Sequence, residues 1–177
     1  MIDGILGYAR YEGQDPDLRL DLVRPHDLVA DAIAVYRGSM REKGLELKVT
    51  MGDGLPDLRT DREKASRILL HIFSNAHKFT DQGEVRLTVS HDDEQVHFTV
   101  EDTGAGIPQR DMAHIFEPFW QGQKADTRTA GGTGMGLSLA KRLTELLCGE
   151  LTVESRPGQG TTVRLSLPRE GPQPSFP

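Results

Sequence analysis

Seven of the 19 glycines in this 177-residue chain fall in the 33 residues from Gly104 to Gly136. Glycine loses more conformational freedom on folding than any other residue. A concentration of it therefore marks backbone that must turn at positive φ or approach something closely. The stretch has little apolar periodicity and runs directly into a helical pattern, so the fold must accommodate a long loop at one end of its core. A solvated surface loop and a ligand-covering loop both satisfy the composition.

The flanking patterns define the layers around that loop. Residues 18–24 alternate and predict a strand, and a helix follows from Pro25 to about Lys43 with Val29, Ile33, Tyr36 and Met40 on one face. Leu45, Leu47 and Val49 alternate again, and a short extended piece ends at Thr60-Asp61. The most regular helix runs from Arg62 to Thr80, with Thr60 or Asp61 as its N-cap. Ala65, Ile68, Leu69, Ile72, Phe73, Ala76 and Phe79 repeat at helical spacing along it, which predicts a half-buried helix. Two strands, Glu84–His91 and Gln95–Glu101, flank an antiparallel turn at 91–94. After the loop, with a short helix expected around Asp111–Ile115, a helix from about Met135 to Leu147 precedes two strands, Glu150–Ser155 and Thr161–Leu167. Strands in neighbouring pairs favour an antiparallel or mixed sheet with helices on one face, an α+β two-layer sandwich. Residues 169–177 are Pro-rich and aperiodic, a tail or linker.

Composition excludes several functions. The net charge of −6 argues against a nucleic-acid partner, which demands clustered positive charge. No stretch approaches the roughly 20 apolar residues that span a bilayer. The N-terminus does not read as a signal peptide, so the expected location is cytoplasmic. The single cysteine, Cys148, precludes an internal disulfide and is expected to pack in the core.

Three constellations can carry chemistry. His71, Asn75 and Lys78 span only about 60° of arc on the long helix, along the border of its apolar face. An amide oxygen such as that of Asn75 suits Mg²⁺ when phosphates already supply the negative charge, and Lys78 can meet a phosphate oxygen. Asn75 as a surface amide and Lys78 as a solvated lysine is the plainer alternative. Asp102-Thr103-Gly104-Ala105-Gly106-Ile107 begins where a strand ends. A carboxylate buried there needs a donor, which an adenine amino group provides; a turn-forming Asp is the alternative. Gly132-Thr133-Gly134-Met135-Gly136-Leu137 opens onto a helix, an arrangement suited to anions. Between the last two, Phe116-Glu117-Pro118-Phe119 offers aromatic anchors, and Lys124 and Arg128 can close on phosphates, with at least one of them expected to be a solvated loop charge.

In this order the motifs resemble the ATP-binding catalytic domain of sensor histidine kinases, of the superfamily shared with gyrase, mismatch-repair and chaperone ATPases. Asn75–Thr80 matches the asparagine box, Asp102–Ile107 the first glycine box, Phe116–Phe119 the phenylalanine box and Gly132–Leu137 the second glycine box. Gly158-Gln159-Gly160-Thr161-Thr162 resembles the closing glycine-threonine turn. The resemblance spans about residues 18–168 and implies a Bergerat-type fold, with ATP and Mg²⁺ as ligands. It implies Asn75 on Mg²⁺, Lys78 on phosphate, Asp102 on the adenine amino group and Gly104 and Gly106 packed against the base. Ile107, Phe119, Lys124, Gly132, Thr133, Gly134, Met135, Gly136, Leu137 and Thr162 complete the implied nucleotide site, with a lid from about Phe116 to Gly134. His71 faces the same cleft where gyrase-like relatives carry a glutamate that activates water, a departure that favours phosphoryl transfer over hydrolysis.

None of the six histidines sits in the family's phosphoacceptor pattern. The acceptor is expected on a separate dimerisation and phosphotransfer hairpin, of which residues 1–13 resemble a stub, with residues 14–168 as the catalytic domain. The implied partners are that hairpin and a response-regulator receiver domain. The full-length kinase is expected to be a homodimer and this chain monomeric or weakly associated. The alternatives are a serine-directed anti-sigma-type kinase and a degenerate nucleotide- or partner-binding module.

Overall fold

The computed structural model describes residues 18–122 and 133–172. A short strand β1 (Asp21–Val23) leads into helix α1 (Pro25–Glu42), strands β2 (Glu46–Met51) and β3 (Leu58–Thr60), and helix α2 (Arg62–Phe79). The hairpin β4 (Glu84–His91) and β5 (Gln95–Asp102) follows. After the loop come α3 (Gly136–Leu146), β6 (Glu150–Arg156) and β7 (Gly160–Pro168). Five strands form one sheet in the order β2-β4-β5-β7-β6, parallel only between β2 and β4, while β1 and β3 pair separately. The expected α+β sandwich with a mixed, mostly antiparallel sheet is the observed one.

Period-two alternation sets which side of the sheet is buried. Val85, Leu87 and Val89 of β4 and Val96, Phe98 and Val100 of β5 are buried beneath the helices. Their neighbours Arg86 and Glu101 pair across the other face, with the ion pair at 3.9 Å. A one-residue slip would exchange these sets, so the register is strongly specified. α2 packs between α1 and α3 and contributes Ile68, Leu69, Ile72 and Phe73 to the same core. Each such side chain stabilises the fold by about 1.5–3 kcal/mol through burial. The β4–β5 turn forms because the Asp92 carboxylate accepts from the Glu94 and Gln95 amides at 2.9 and 2.8 Å.

Asp61, rather than Thr60, caps α2. Its carboxylate accepts from the Lys64 amide at 3.0 Å and the Arg19 amide at 3.1 Å, and it pairs with Lys64 Nζ at 2.6 Å. Both residues are buried, at 3% and 8% exposure. Acidic Glu63 in the first turn and His77 and Lys78 in the last suit the helix dipole.

Several expectations need correction. The strand expected over 18–24 is only Asp21–Val23, because β3 offers just three partners and Arg19 is turned aside to Asp61. The helix expected at 111–115 is a 3₁₀ turn, Gln109–Asp111, closed by i→i+3 bonds from Asp111 to Pro108 and Met112 to Gln109. Order continues past β7: the Arg169 amide donates to the Glu94 carbonyl, and the Arg59 amide to the Arg169 carbonyl. Residues 1–13 and 173–177 lie outside the described residues. Among the described residues no helix is long and apolar enough to cross a membrane.

Cys148 is exposed, not packed in the core. It follows the end of α3 in the left-handed region, with φ of 53°. The Gly149 amide bonds the Thr144 carbonyl and the Cys148 amide the Glu145 carbonyl, the two bonds of a Schellman motif. That position usually belongs to glycine, since a side chain in the left-handed region is strained. Cys148→Gly is therefore expected to raise stability by about 0.5–1 kcal/mol in urea denaturation, because no buried contact is lost. A loss of stability would contradict this account of the helix end.

Candidate functional site

One end of the candidate site is built on the end of β5. Asp102 is the last residue of that strand and is paired with Val85 on one side and Thr161 on the other. Its carboxylate accepts from the Gly104 amide at 2.9 Å and from the Thr161 amide. Burial raises its pKa above the ordinary carboxylate value; the two amides and the nearby Thr80 hydroxyl only partly offset that. Thr80 is itself fully buried, and its hydroxyl makes no hydrogen bond of ordinary geometry among the described residues. The half-buried carboxylate thus has acceptor capacity that the described residues leave unfilled.

The first glycine motif wraps under this carboxylate. A Cβ at Gly104 would collide with the Phe79 carbonyl, which accepts the Ala105 amide at 3.2 Å. Gly106, with φ of +68°, leaves room for the Arg156 carbonyl, so its close approach is to the β6–β7 hairpin. The Gly158 amide donates to the Ala105 carbonyl, and the Ile107 amide to Ser155 Oγ, at 2.8 Å each. Asp102 and its loop are therefore fixed from three sides: α2, β4 and the β6–β7 hairpin.

The other end lies where α2 meets the start of α3. A Cβ built on Gly136 would stand 3.5 Å from His71 Nδ1 and 4.0 Å from Asn75 Oδ1, which brings these three predicted residues together. Among the described residues α3 has no side-chain cap, and its first turn has no acidic residue, so its N-terminal amides and positive dipole face that corner. Burial, and secondarily the charge of Arg67, lowers the pKa of His71, so the imidazole stays neutral at physiological pH and is a weaker base than a free one. Lys78 does not join the corner: its ammonium sits 4.8 Å from the centre of the Phe79 ring.

The loop between the ends is partly described. Phe116 packs against the core, whereas Phe119 is 60% exposed, with φ of 65°. Gly134 fits against the Phe119 and Trp120 backbone, which docks the loop's first part on its last. Thr133 is half-buried, Met135 is buried immediately before α3, and Leu137 packs on the core. Lys124, Arg128 and Gly132 lie outside the described residues.

Two site expectations change. Thr162 pairs with Glu101 and Glu154, on the opposite face of the sheet from Asp102. Thr161 holds the place expected for Thr162, with its amide on Asp102 and its hydroxyl 2.9 Å from Ser155 Oγ. Counting back in twos from Leu167, Leu165 and Val163 identifies it. Phe79, expected on the buried stripe of α2, is 51% exposed, because the helix ends there and the sheet no longer covers it. A separate groove of about 480 Å³, lined by α1 residues and Met51, contains none of these side chains.

Residues 60–171 match the family model described as histidine kinase-, DNA gyrase B- and HSP90-like ATPase. The chain belongs to this family. Within it, the chain is 40% identical over 173 residues to the virulence sensor protein BvgS of Bordetella bronchiseptica, covering 94% of this chain and 14% of that protein. It is 35% identical over 175 residues to the autoinducer 2 sensor kinase/phosphatase LuxQ of Vibrio cholerae, covering 96% of this chain and 20% of that one. Among solved structures, full-length ShkA in complex with AMPPNP superposes with a TM-score of 0.85 at 30% identity, over 99% of this chain and 36% of that one. The catalytic domain of the histidine kinase ThkA, at 19% identity and a TM-score of 0.75, shares the fold. The chain spans only 14% to 28% of the length of the curated relatives it matches. It is the family's ATP-binding catalytic domain, of the kind found in sensor histidine kinases.

Proposed function

We propose that the cleft between α2, the end of β5 and the start of α3 binds ATP with Mg²⁺ and passes the γ-phosphoryl group to a histidine on a separate helical hairpin. The observation that carries this reading is that two opposed features lie against the C-terminal half of α2. At one end stands a half-buried carboxylate with spare acceptor capacity; at the other, an uncapped helix N-terminus beside Asn75. An adenine amino group satisfies the first and a polyphosphate the second.

In this reading Asp102 orients the base, and Phe79 offers an apolar wall beside it. The amides at the start of α3 take phosphate oxygens, and Lys78 leaves the Phe79 ring to join them. Mg²⁺, held through the Asn75 amide oxygen, supplies charge neutralisation on the phosphates. The catalytic contribution is chiefly positioning and electrostatic stabilisation. His71 supports transfer rather than hydrolysis, because a neutral imidazole of lowered basicity stands where a water-activating carboxylate would be needed. Residues 1–13 belong to the hairpin's end, residues 14–168 form the catalytic domain, and residues 169–177 are a tail or linker whose first residue, Arg169, is bonded to the domain. The whole protein acts as a cytoplasmic-facing homodimer that passes the phosphoryl group to a receiver-domain aspartate.

Supplying a histidine-bearing hairpin in trans with radiolabelled ATP tests this. The expected product is an acid-labile, base-stable phosphoryl label on the hairpin that requires Mg²⁺ and disappears with Asn75→Ala. An acid-stable phosphoserine, or label that survives Asn75→Ala, would contradict it.

A further inference from the structure

α2 ends beside the Gly104–Ala105 loop, and its last turn is held from behind by α1. Lys43, the C-cap of α1, donates from Nζ to the His77 carbonyl at 2.8 Å and stands 3.2 Å from the Asp81 carboxylate. Its own backbone is fixed. The Leu45 amide bonds the Met40 carbonyl and the Gly44 amide the Arg41 carbonyl, a Schellman closure with Gly44 at φ +76°. Two turns earlier, the Tyr36 ring stacks on Phe73 with 6.3 Å between centroids and lies 6.0 Å from His77. Beyond the helix, the Glu46 amide takes the Gly83 carbonyl at 3.0 Å.

The carbonyls at this helix end show what the strap does. The Ala76 carbonyl accepts from Thr80, the Phe79 carbonyl from Ala105, and the His77 carbonyl from the Lys43 ammonium. His77 lies between Asn75 and Lys78, so the strap grips the turn that carries both. The same end is the negative pole of the helix dipole, which opposes a polyphosphate nearby. A cation bonded there offsets that field without entering the cleft.

We propose that Lys43 is a positioning residue for the phosphate end of the nucleotide, setting the last turn of α2 and neutralising its negative pole. This rests on the nucleotide reading above. Asp81 is almost fully exposed, so its ion pair contributes little, and the bond to the carbonyl is the working contact.

The test is calorimetric titration of the full chain with a Mg²⁺-bound, non-hydrolysable ATP analogue and, separately, with adenosine. Lys43→Met is expected to weaken the analogue about tenfold and adenosine less than about twofold, because only the analogue carries phosphates. Lys43→Arg should recover most of the affinity, and Asp81→Asn should leave it unchanged. Lys43→Gln, a milder change that keeps a donor and loses the charge, should fall between Met and wild type, and it serves if the Met variant is unfolded at the assay temperature. Equal losses for both ligands would show general loosening and overturn the role. Unchanged analogue binding, or a loss in Asp81→Asn as large as in Lys43→Met, would also overturn it. Wild-type protein that binds neither ligand would bring down the nucleotide reading and this role together; normal wild-type binding with an unaffected Lys43→Met would bring down this role alone.

Discussion

Asp102→Asn is expected to weaken binding of an ATP analogue about 100-fold, the upper range for a hydrogen bond to a charged group, while leaving the fold at least as stable as wild type. The Gly104 and Thr161 amides both require an acceptor, so the carboxamide oxygen turns to them and the new amide nitrogen takes the remaining position. There it opposes a donor with a donor. The stability side follows from the direction of the pKa shift. Burial raises the Asp102 pKa, so this group favours folding most below the unfolded-state value, and that contribution is lost as pH rises through the folded value. At neutral pH the ionised carboxylate opposes folding, and a neutral amide of the same shape removes the penalty. Calorimetry and thermal denaturation of the same preparation check both halves. A variant that loses stability together with affinity would show that Asp102 serves the fold rather than the ligand.

Asp61→Ala is expected to act the other way, with a loss of about 3–5 kcal/mol, because it strands a buried ammonium. Burial disfavours ionised Asp61, but the Lys64 side chain and the Lys64 and Arg19 amides outweigh that and hold its pKa below the usual range. A lowered carboxylate pKa contributes stability that is present above the unfolded value and lost as pH falls through the folded one. Wild type should therefore lose this contribution in acid, and Asp61→Ala should show a flatter acid profile. Replacing Lys64 by Met in the Asp61→Ala background should recover much of the loss, since no buried charge is then left unpaired. Urea denaturation between pH 3 and pH 7 measures all three. A loss near that of a simple cap deletion, about 1 kcal/mol, would mean that Lys64 reaches water on its own.

The features legible in the sequence are those governed by local period. α2 and the β4–β5 hairpin follow from apolar spacing, and Asp102 at a strand end follows from alternation meeting Asp-Thr-Gly. The meeting of His71, Asn75 and Gly136 followed from helix geometry together with the order of the motifs. What escaped depends on where elements stop and what lies across from them. Phe79 fits the helical stripe yet is exposed among the described residues, because the helix ends there. Cys148 reads as the end of an amphipathic helix, but the Schellman closure turns it outward. Thr161 and Thr162 are adjacent and chemically identical, so only the register with Asp102 separates them. Lys43 lies 32 residues from Asn75 in the chain, and no local pattern links it to the cleft.

The most direct test of the central claim is titration of the wild-type chain with a non-hydrolysable ATP analogue, with and without Mg²⁺, followed by amide chemical shifts. Saturable binding that tightens with Mg²⁺ is expected, with the largest shifts at Asn75, Gly104 and Gly136. Absence of saturable binding, or shifts confined to the groove between α1 and β2, would contradict it.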